Sequence, residues 1–173
     1  MNYIFSILFL LSFSAFGQET ISWDEAKING KVAMTISKAD FDKRFKKADS
    51  IVPLQVSEQC GNDETENVRM VYYKGAKYEM DNGIMNFRSV DFSKSRNTYF
   101  EIKDDWFDRT TTLKSFTKTY PKAAEFIEDA ETEDREVMDM IMLLPANPEE
   151  FSEWRFYFLN DRLRSIECWF PCD

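Results

Sequence analysis

The stretch from residue 68 to residue 92 limits the possible folds more than any other part of the chain. Apolar side chains recur at every second position over 68–72 and 76–80 and over most of 84–92, which is the period of a β-strand. Lys74-Gly75 and Asp81-Asn82-Gly83 separate these stretches and are typical of tight antiparallel turns. The pattern therefore predicts an antiparallel meander.

Two further details follow from the same pattern. The alternation breaks between Phe87 and Val90, which predicts a β-bulge or a bend in the third strand. A fourth strand is predicted at 99–102, where it would extend the meander.

A hairpin is predicted at the C-terminal end of the chain. Trp154, Phe156 and Phe158 occupy alternate positions and so share one face of a strand. A turn near Asn160-Asp161 leads into a second strand over 162–170.

Helices are predicted in two places. The first follows a short strand over 32–36 and begins after Ser37, which can cap it, with Asp40 at the position of the capping-box acid. The second half of the chain contains three apolar stripes at helical spacing. They consist of Leu113, Phe116 and Tyr120, then Phe126, Ile127 and Ala130, then Val137, Met140, Ile141 and Leu144.

These elements predict an α+β fold: an antiparallel sheet, made of the meander and the C-terminal hairpin, with helices packed on one face. A helix followed by a meander, and then helices followed by a hairpin, suggests a duplicated helix-plus-strands unit. This order of elements resembles the helix-plus-four-strand repeat of the beta-lactamase inhibitor proteins and related exported bacterial domains.

The N-terminus is predicted to be a signal peptide. Residues 4–16 are almost wholly apolar, and a run of about 13 residues is too short for a membrane-spanning helix. Ala15 and Gly17 are small residues at the two positions that a signal peptidase reads. We therefore expect residues 1–17 to be removed, leaving residues 18–173 as a single domain without a membrane span, exported to the periplasm or outside the cell.

The three cysteines are Cys60, Cys168 and Cys172. In an oxidising compartment, three thiols allow one disulfide and one remaining thiol. A bridge from Cys60 to either Cys168 or Cys172 is favoured, because it would tie a long loop to the C-terminal strand. A bridge between Cys168 and Cys172 is the alternative if the chain turns at Pro171.

Charge limits the kinds of partner. The formal net charge is −9, which disfavours nucleic acids and anionic lipid surfaces. Acids are concentrated over 125–139, where a solvated face and a surface for a basic protein partner are both compatible with the sequence. The short basic run over 43–47 is interpreted as a solvated helix face.

Candidate binding residues are large aromatics among charges and the acids of the 125–139 stretch. Trp106 and Phe107 lie between acidic residues in a predicted connection, where they either form an interface or fold back onto the core. The candidate acids are Glu128, Asp129, Glu131, Glu133 and Asp134.

Catalytic chemistry is not indicated. The sequence contains no histidine, so an imidazole-based nucleophilic site cannot form. It has no glycine-rich phosphate motif, and its cysteines do not have the spacing of a zinc cluster. We therefore expect no catalytic site, metal or cofactor.

Two functional hypotheses follow. The first is an exported soluble protein that acts by binding another protein, with a periplasmic immunity or inhibitor protein as its concrete form. The alternative is a carrier or sensor of a small apolar ligand in the cell envelope, suggested by the abundance of Phe, Met and Trp.

Overall fold

The computed structural model of the protein describes residues 19–45, 47–54, 68–131, 136–147 and 153–170. The predicted signal peptide lies outside these residues, as do Cys60, Cys172, Glu133 and Asp134.

The described residues form fourteen strands, two α-helices and a short 3-10 helix at Ala123–Glu125. The helices are α1 (Lys38–Arg44) and α2 (Leu113–Thr119). The strands are β1 (Thr20–Ile21), β2 (Ala26–Ile28), β3 (Val32–Ala33), β4 (Thr35–Ser37), β5 (Ser50–Pro53), β6 (Arg69–Tyr73), β7 (Ala76–Asp81), β8 (Ile84–Asp91), β9 (Phe100–Ile102), β10 (Asp105–Phe107), β11 (Ile127–Glu131), β12 (Val137–Pro145), β13 (Glu153–Leu159) and β14 (Arg162–Trp169).

Ten strands form one large mixed sheet. Its path runs β5-β6-β7-β8, continues through β14 and β13 to β12, and ends at β1. Strand β4 pairs with the first half of β8, and β11 pairs with the first half of β12. The β1–β12 pair is parallel and the other pairs are antiparallel, so the predicted β6-β7-β8 meander and the predicted C-terminal hairpin are confirmed as parts of this sheet.

The turns of these hairpins have the predicted positions. Both central residues have positive φ in the turns at Lys74-Gly75, Asn82-Gly83 and Asn160-Asp161. This is the conformation of a type I′ turn, whose twist matches that of the flanking strands. The predicted bulge is also confirmed, because Lys77 pairs with Ser89 while Tyr78 pairs with Phe87, which leaves Arg88 as the extra residue.

A second sheet of four strands, in the order β10-β9-β2-β3, lies against the inner face of the large sheet. Phe100 of β9 joins the two layers, with ring centroids 5.9 Å from Phe87 and 5.4 Å from Trp154. The prediction that residues 99–102 extend the meander is therefore wrong, because β9 pairs with β2 and β10 instead.

Both short helices are capped at their N-termini, α1 by the predicted Ser37, and both contribute to the core. Ser37 accepts a hydrogen bond from the Asp40 backbone N–H, and Thr112 forms a capping box with Ser115. Each helix contributes one fully buried phenylalanine, Phe41 from α1 and Phe116 from α2.

The predicted α+β fold with helices packed on one face of the sheet is wrong, because the fold is mostly β. The apolar stripes over 126–130 and 137–144 lie on strands β11 and β12 and not on helices, except for Phe126, which immediately precedes β11. Val137 and Leu144, two members of the second stripe, are exposed, whereas Ile141 and Leu143 are buried at strand spacing. The duplicated helix-plus-strands unit is lost with these helices.

Two core side chains keep a polar atom without a hydrogen-bond partner in the described part of the chain: the Tyr78 hydroxyl and the Trp154 indole nitrogen. Burial raises the pKa of Tyr78, and the neighbouring Tyr73 adds to this rise. Because an unsatisfied buried hydroxyl loses its hydration without compensation, it opposes folding.

Replacing Tyr78 with Phe is therefore expected to raise the free energy of unfolding by about 1 kcal/mol. Tyr157→Phe is the matched control, since the Tyr157 hydroxyl donates to a Glu167 carboxylate oxygen at 3.1 Å. The control should lose about 1 kcal/mol. Urea unfolding of both variants measures the difference, and a destabilised Tyr78→Phe would show that its hydroxyl has a partner.

Candidate functional site

Trp106 lies on the β9–β10 hairpin at the open face of the smaller sheet. It is directly opposite Glu101 on β9, and the hairpin turns through Lys103, whose φ is 53°. Alternation along β10 directs the neighbouring Phe107 to the core, so Trp106 points outward with 69% of its surface exposed.

A groove of about 490 Å³ adjoins Trp106. Trp106 and Tyr99 are its aromatic residues, and its charged residues are Glu101, Lys103, Asp104 and Asp108. Three carboxylates and one ammonium group make the groove acidic. An indole beside carboxylates is an environment that attracts a cation.

The charged groups of the groove differ in how they are engaged. The Lys103 ammonium lies 3.4 Å from a Glu25 carboxylate oxygen outside the groove, so its charge is already partly compensated. One Asp108 carboxylate oxygen accepts hydrogen bonds from the Thr110 backbone N–H at 2.7 Å and from its hydroxyl at 2.6 Å. Among the described residues, Glu101 and Asp104 form no ion pair, although Lys27 is directly opposite Glu101 on β2.

Phe107, the neighbouring predicted site residue, lies in the core with 4% of its surface exposed. Its ring centroid is 5.5 Å from that of Phe116 and 5.8 Å from that of Phe156. Phe107 therefore anchors the hairpin that presents Trp106 and does not itself contact solvent.

The predicted acidic residues Glu128, Asp129 and Glu131 lie on β11, in the larger sheet. Strand β11 pairs only along β12 in the described residues, and Asp129 is directly opposite Asp139. Like charges opposite one another destabilise a strand pair, and charged edges discourage pairing with another sheet. The structure thus places Trp106 and these acids on different sheets, and it does not bring them into one site.

Cys168 is the cysteine within the described residues. It is buried on β14, directly opposite Trp154 of β13. The two other candidates for a disulfide lie outside the described residues, so the pairing stays a prediction.

A second concave surface was not predicted from the sequence. A cleft of about 840 Å³ is lined by the basic residues Lys31, Arg44, Lys47 and Lys74 and by one acid, Asp49. Arg44 and Lys47 belong to the basic run interpreted as a solvated helix face. The other two lysines come from turns that are distant in sequence, so local sequence pattern carries no signal of the convergence.

The described residues show neither a metal-binding cluster nor a membrane-spanning helix. They contain no group of three or more His, Cys, Asp or Glu side chains arranged to hold a metal ion. None of their helices has the length and apolar character needed to cross a bilayer.

Comparison with known proteins adds no further constraint. No protein-family model, no curated protein and no solved structure matches this chain. A functional assignment therefore depends on the geometry and charge of the two concave surfaces.

Proposed function

We propose that this chain is an exported protein that acts by binding another protein, and that the groove beside Trp106 holds a lysine or arginine side chain of that partner. The observation that supports this most directly is an indole that is 69% exposed beside three carboxylates.

The exposure of Trp106 is costly in the isolated protein. A packed tryptophan side chain buries roughly 150–250 Å² of its surface. This large area is why tryptophan contributes strongly to the binding energy of protein interfaces. Trp106 contributes little to the core in this position, since the adjacent Phe107 anchors the hairpin. A contact with a partner accounts for an exposed indole at this position better than fold stability does.

The carboxylates define the chemistry of the partner. Glu101 is directly opposite Trp106, so a cationic side chain lying over the indole would be within reach of that carboxylate. The overall charge of −9 would also speed the approach of a basic protein. An immunity or inhibitor protein that neutralises a basic target is the concrete form of this proposal.

The alternative of an apolar-ligand carrier has weaker support. It arose from the abundance of aromatic residues, and many of those rings pack against one another in the core. Phe116, for example, has its ring centroid 4.7 Å from that of Phe156 and 5.3 Å from that of Phe158.

Replacing Trp106 with Ala is expected to weaken binding of the partner by about 2–4 kcal/mol, with little change in stability. The test is crosslinked capture from the native cell envelope and from neighbouring competitor cells, with wild type and variant compared by mass spectrometry. We expect one protein at near-equal stoichiometry with the wild type, and its loss with Trp106→Ala. Titration of the purified partner then measures the change in affinity.

Phe126→Ala is the matched control, because Phe126 is 73% exposed and immediately precedes acidic strand β11. Capture that survives Phe126→Ala but not Trp106→Ala supports the groove. Capture that is lost only with Phe126→Ala would instead assign the partner to the β11 surface. Equal capture by all three proteins, or none by the wild type, would contradict the proposal for Trp106.

A further inference from the structure

The basic cleft concentrates positive charge on a protein that is acidic overall. Lys31, Arg44, Lys47 and Lys74 line it, and Asp49 is the one acid among its lining residues. Within the described ranges none of these four bases forms an ion pair, whereas Arg88, Arg155 and Arg164 of the large sheet each do. Four exposed bases with a single acid among them leave the cleft with a net positive charge, which attracts an anion.

Lys74 is held in place by its backbone on both sides. Its N–H donates to an Asp49 carboxylate oxygen at 2.6 Å, and its carbonyl oxygen accepts from the buried Thr98 hydroxyl at 2.7 Å. This arrangement also engages one oxygen of Asp49 and reduces its capacity to neutralise the bases. The turn that presents Lys74 is therefore preorganised.

Lys31 is presented by a second anchored turn, between β2 and β3. The Asn29 side-chain oxygen accepts from the Tyr99 backbone N–H at 2.9 Å, and the Asn29 backbone N–H donates to the Tyr99 carbonyl oxygen at 2.9 Å. Tyr99 and Asn29 both line the cleft. Lys31 therefore lies two residues after Asn29, which is anchored in the wall of the cleft.

The wall near Arg44 is aromatic. The ring of Phe45 lies 5.4 Å from that of Phe41 and 6.2 Å from that of Tyr73, and Phe41 and Tyr73 meet edge to face at 5.1 Å. These contacts attach the C-terminal end of α1 to β6. Arg44 and Lys74, from elements far apart in sequence, are thus held on one concave surface.

We propose that this cleft binds a small ligand carrying two or more oxyanion groups, either carboxylates or phosphates. Bases from three separate segments can approach such a ligand from several directions, and Asn97 adds an amide for neutral oxygens. The volume of the cleft is in the range of small-molecule sites, roughly 300–1,000 Å³. Preorganised walls reduce the entropy lost on binding.

The test is isothermal titration calorimetry of the whole protein with inorganic pyrophosphate and, separately, with citrate at low ionic strength. We expect one site for at least one of the two anions, with affinity that falls as salt is added. The double substitution Lys31→Gln with Lys74→Gln should weaken that binding by about tenfold or more, since each removes a charge-assisted contact. Binding of pyrophosphate alone would assign phosphate as the ligand chemistry, and binding of citrate alone would assign carboxylate.

The matched control is Lys114→Gln with Lys118→Gln, which makes the same change in net charge on the exposed side of α2. Binding retained by this control supports the cleft. An equal loss in both double variants would show that net charge alone attracts the anion, and this would overturn the proposal, as would no binding of either anion to the wild type. Thermal unfolding followed by circular dichroism verifies the fold of each variant. If a double variant does not fold, the two corresponding single variants are titrated in its place.

Discussion

Phe116→Ala is expected to lower the free energy of unfolding by about 3–5 kcal/mol, the usual range for a buried phenylalanine. Phe116 is fully buried, and its ring joins α2 to both layers of the fold. Its centroid lies 4.7 Å from that of Phe156 on β13 and 5.5 Å from that of Phe107 on β10. Alanine would leave a cavity between these rings, and urea unfolding followed by circular dichroism measures the loss.

Phe126→Ala is the control that distinguishes the effect of burial from the effect of removing a phenylalanine ring. The same atoms are removed, but the Phe126 side chain is mostly in water, so a change within about 0.5 kcal/mol is expected. Similar losses in the two variants would contradict the assignment of Phe116 to the core. A loss at Phe116 alone would support the packing of α2 against β13.

Gly75→Ala is expected to lower the free energy of unfolding by about 2–4 kcal/mol, because two effects combine. Gly75 has a φ of 81°, a conformation in which an L side chain is strained. A methyl group would also lie 2.6 Å from the Asp91 carbonyl oxygen, which belongs to the backbone and cannot rotate away. The nearby hydrogen bond from the Asp91 N–H to the Gly75 carbonyl oxygen, 2.9 Å long, limits relaxation further.

Gly83→Ala measures the backbone strain at positive φ without a steric contact. Gly83 has a φ of 78° in an equivalent turn, but no atom lies within 4 Å of the added methyl group. A loss of about 1–2 kcal/mol is expected from backbone strain alone. Urea unfolding of the two variants gives their free energies of unfolding, and the difference between the two losses is the contribution of the close contact with the Asp91 carbonyl oxygen. Equal losses in stability would show that the turn at Gly75 relaxes to avoid this contact.

The groove beside Trp106 and the basic cleft have opposite charge and share one residue. Tyr99 lines both, and its backbone anchors the β2–β3 turn that presents Lys31. A surface with an acidic side and a basic side would orient a partner as well as attract it. The two binding tests remain independent, because Trp106 does not line the cleft and the substituted lysines do not line the groove.

Local interactions explain which parts of the fold were predictable. Tight turns such as Lys74-Gly75, and the helix cap at Ser37, involve residues within a few positions of one another. The alternation of Trp154, Phe156 and Phe158 likewise predicted correctly which side chains are buried. Trp106 could be selected as a candidate because a large aromatic between acids is visible in the sequence.

The sequence by itself determined the tight turns, the Ser37 cap and the inward face of β13, because each depends on neighbouring residues or on the two-residue period of a strand. The buried face of β6 was decided by the tertiary structure, which places Val71 and Tyr73 in the core and leaves Tyr72 only partly buried. Only the tertiary structure decided that Val137–Pro145 is a strand, since spacing alone is compatible with a helix there and pairing with β13 selects the extended form. The basic cleft also depends on the tertiary structure. Lys31, Arg44 and Lys74 are far apart in sequence and come together only through long-range contacts, which local sequence patterns do not predict.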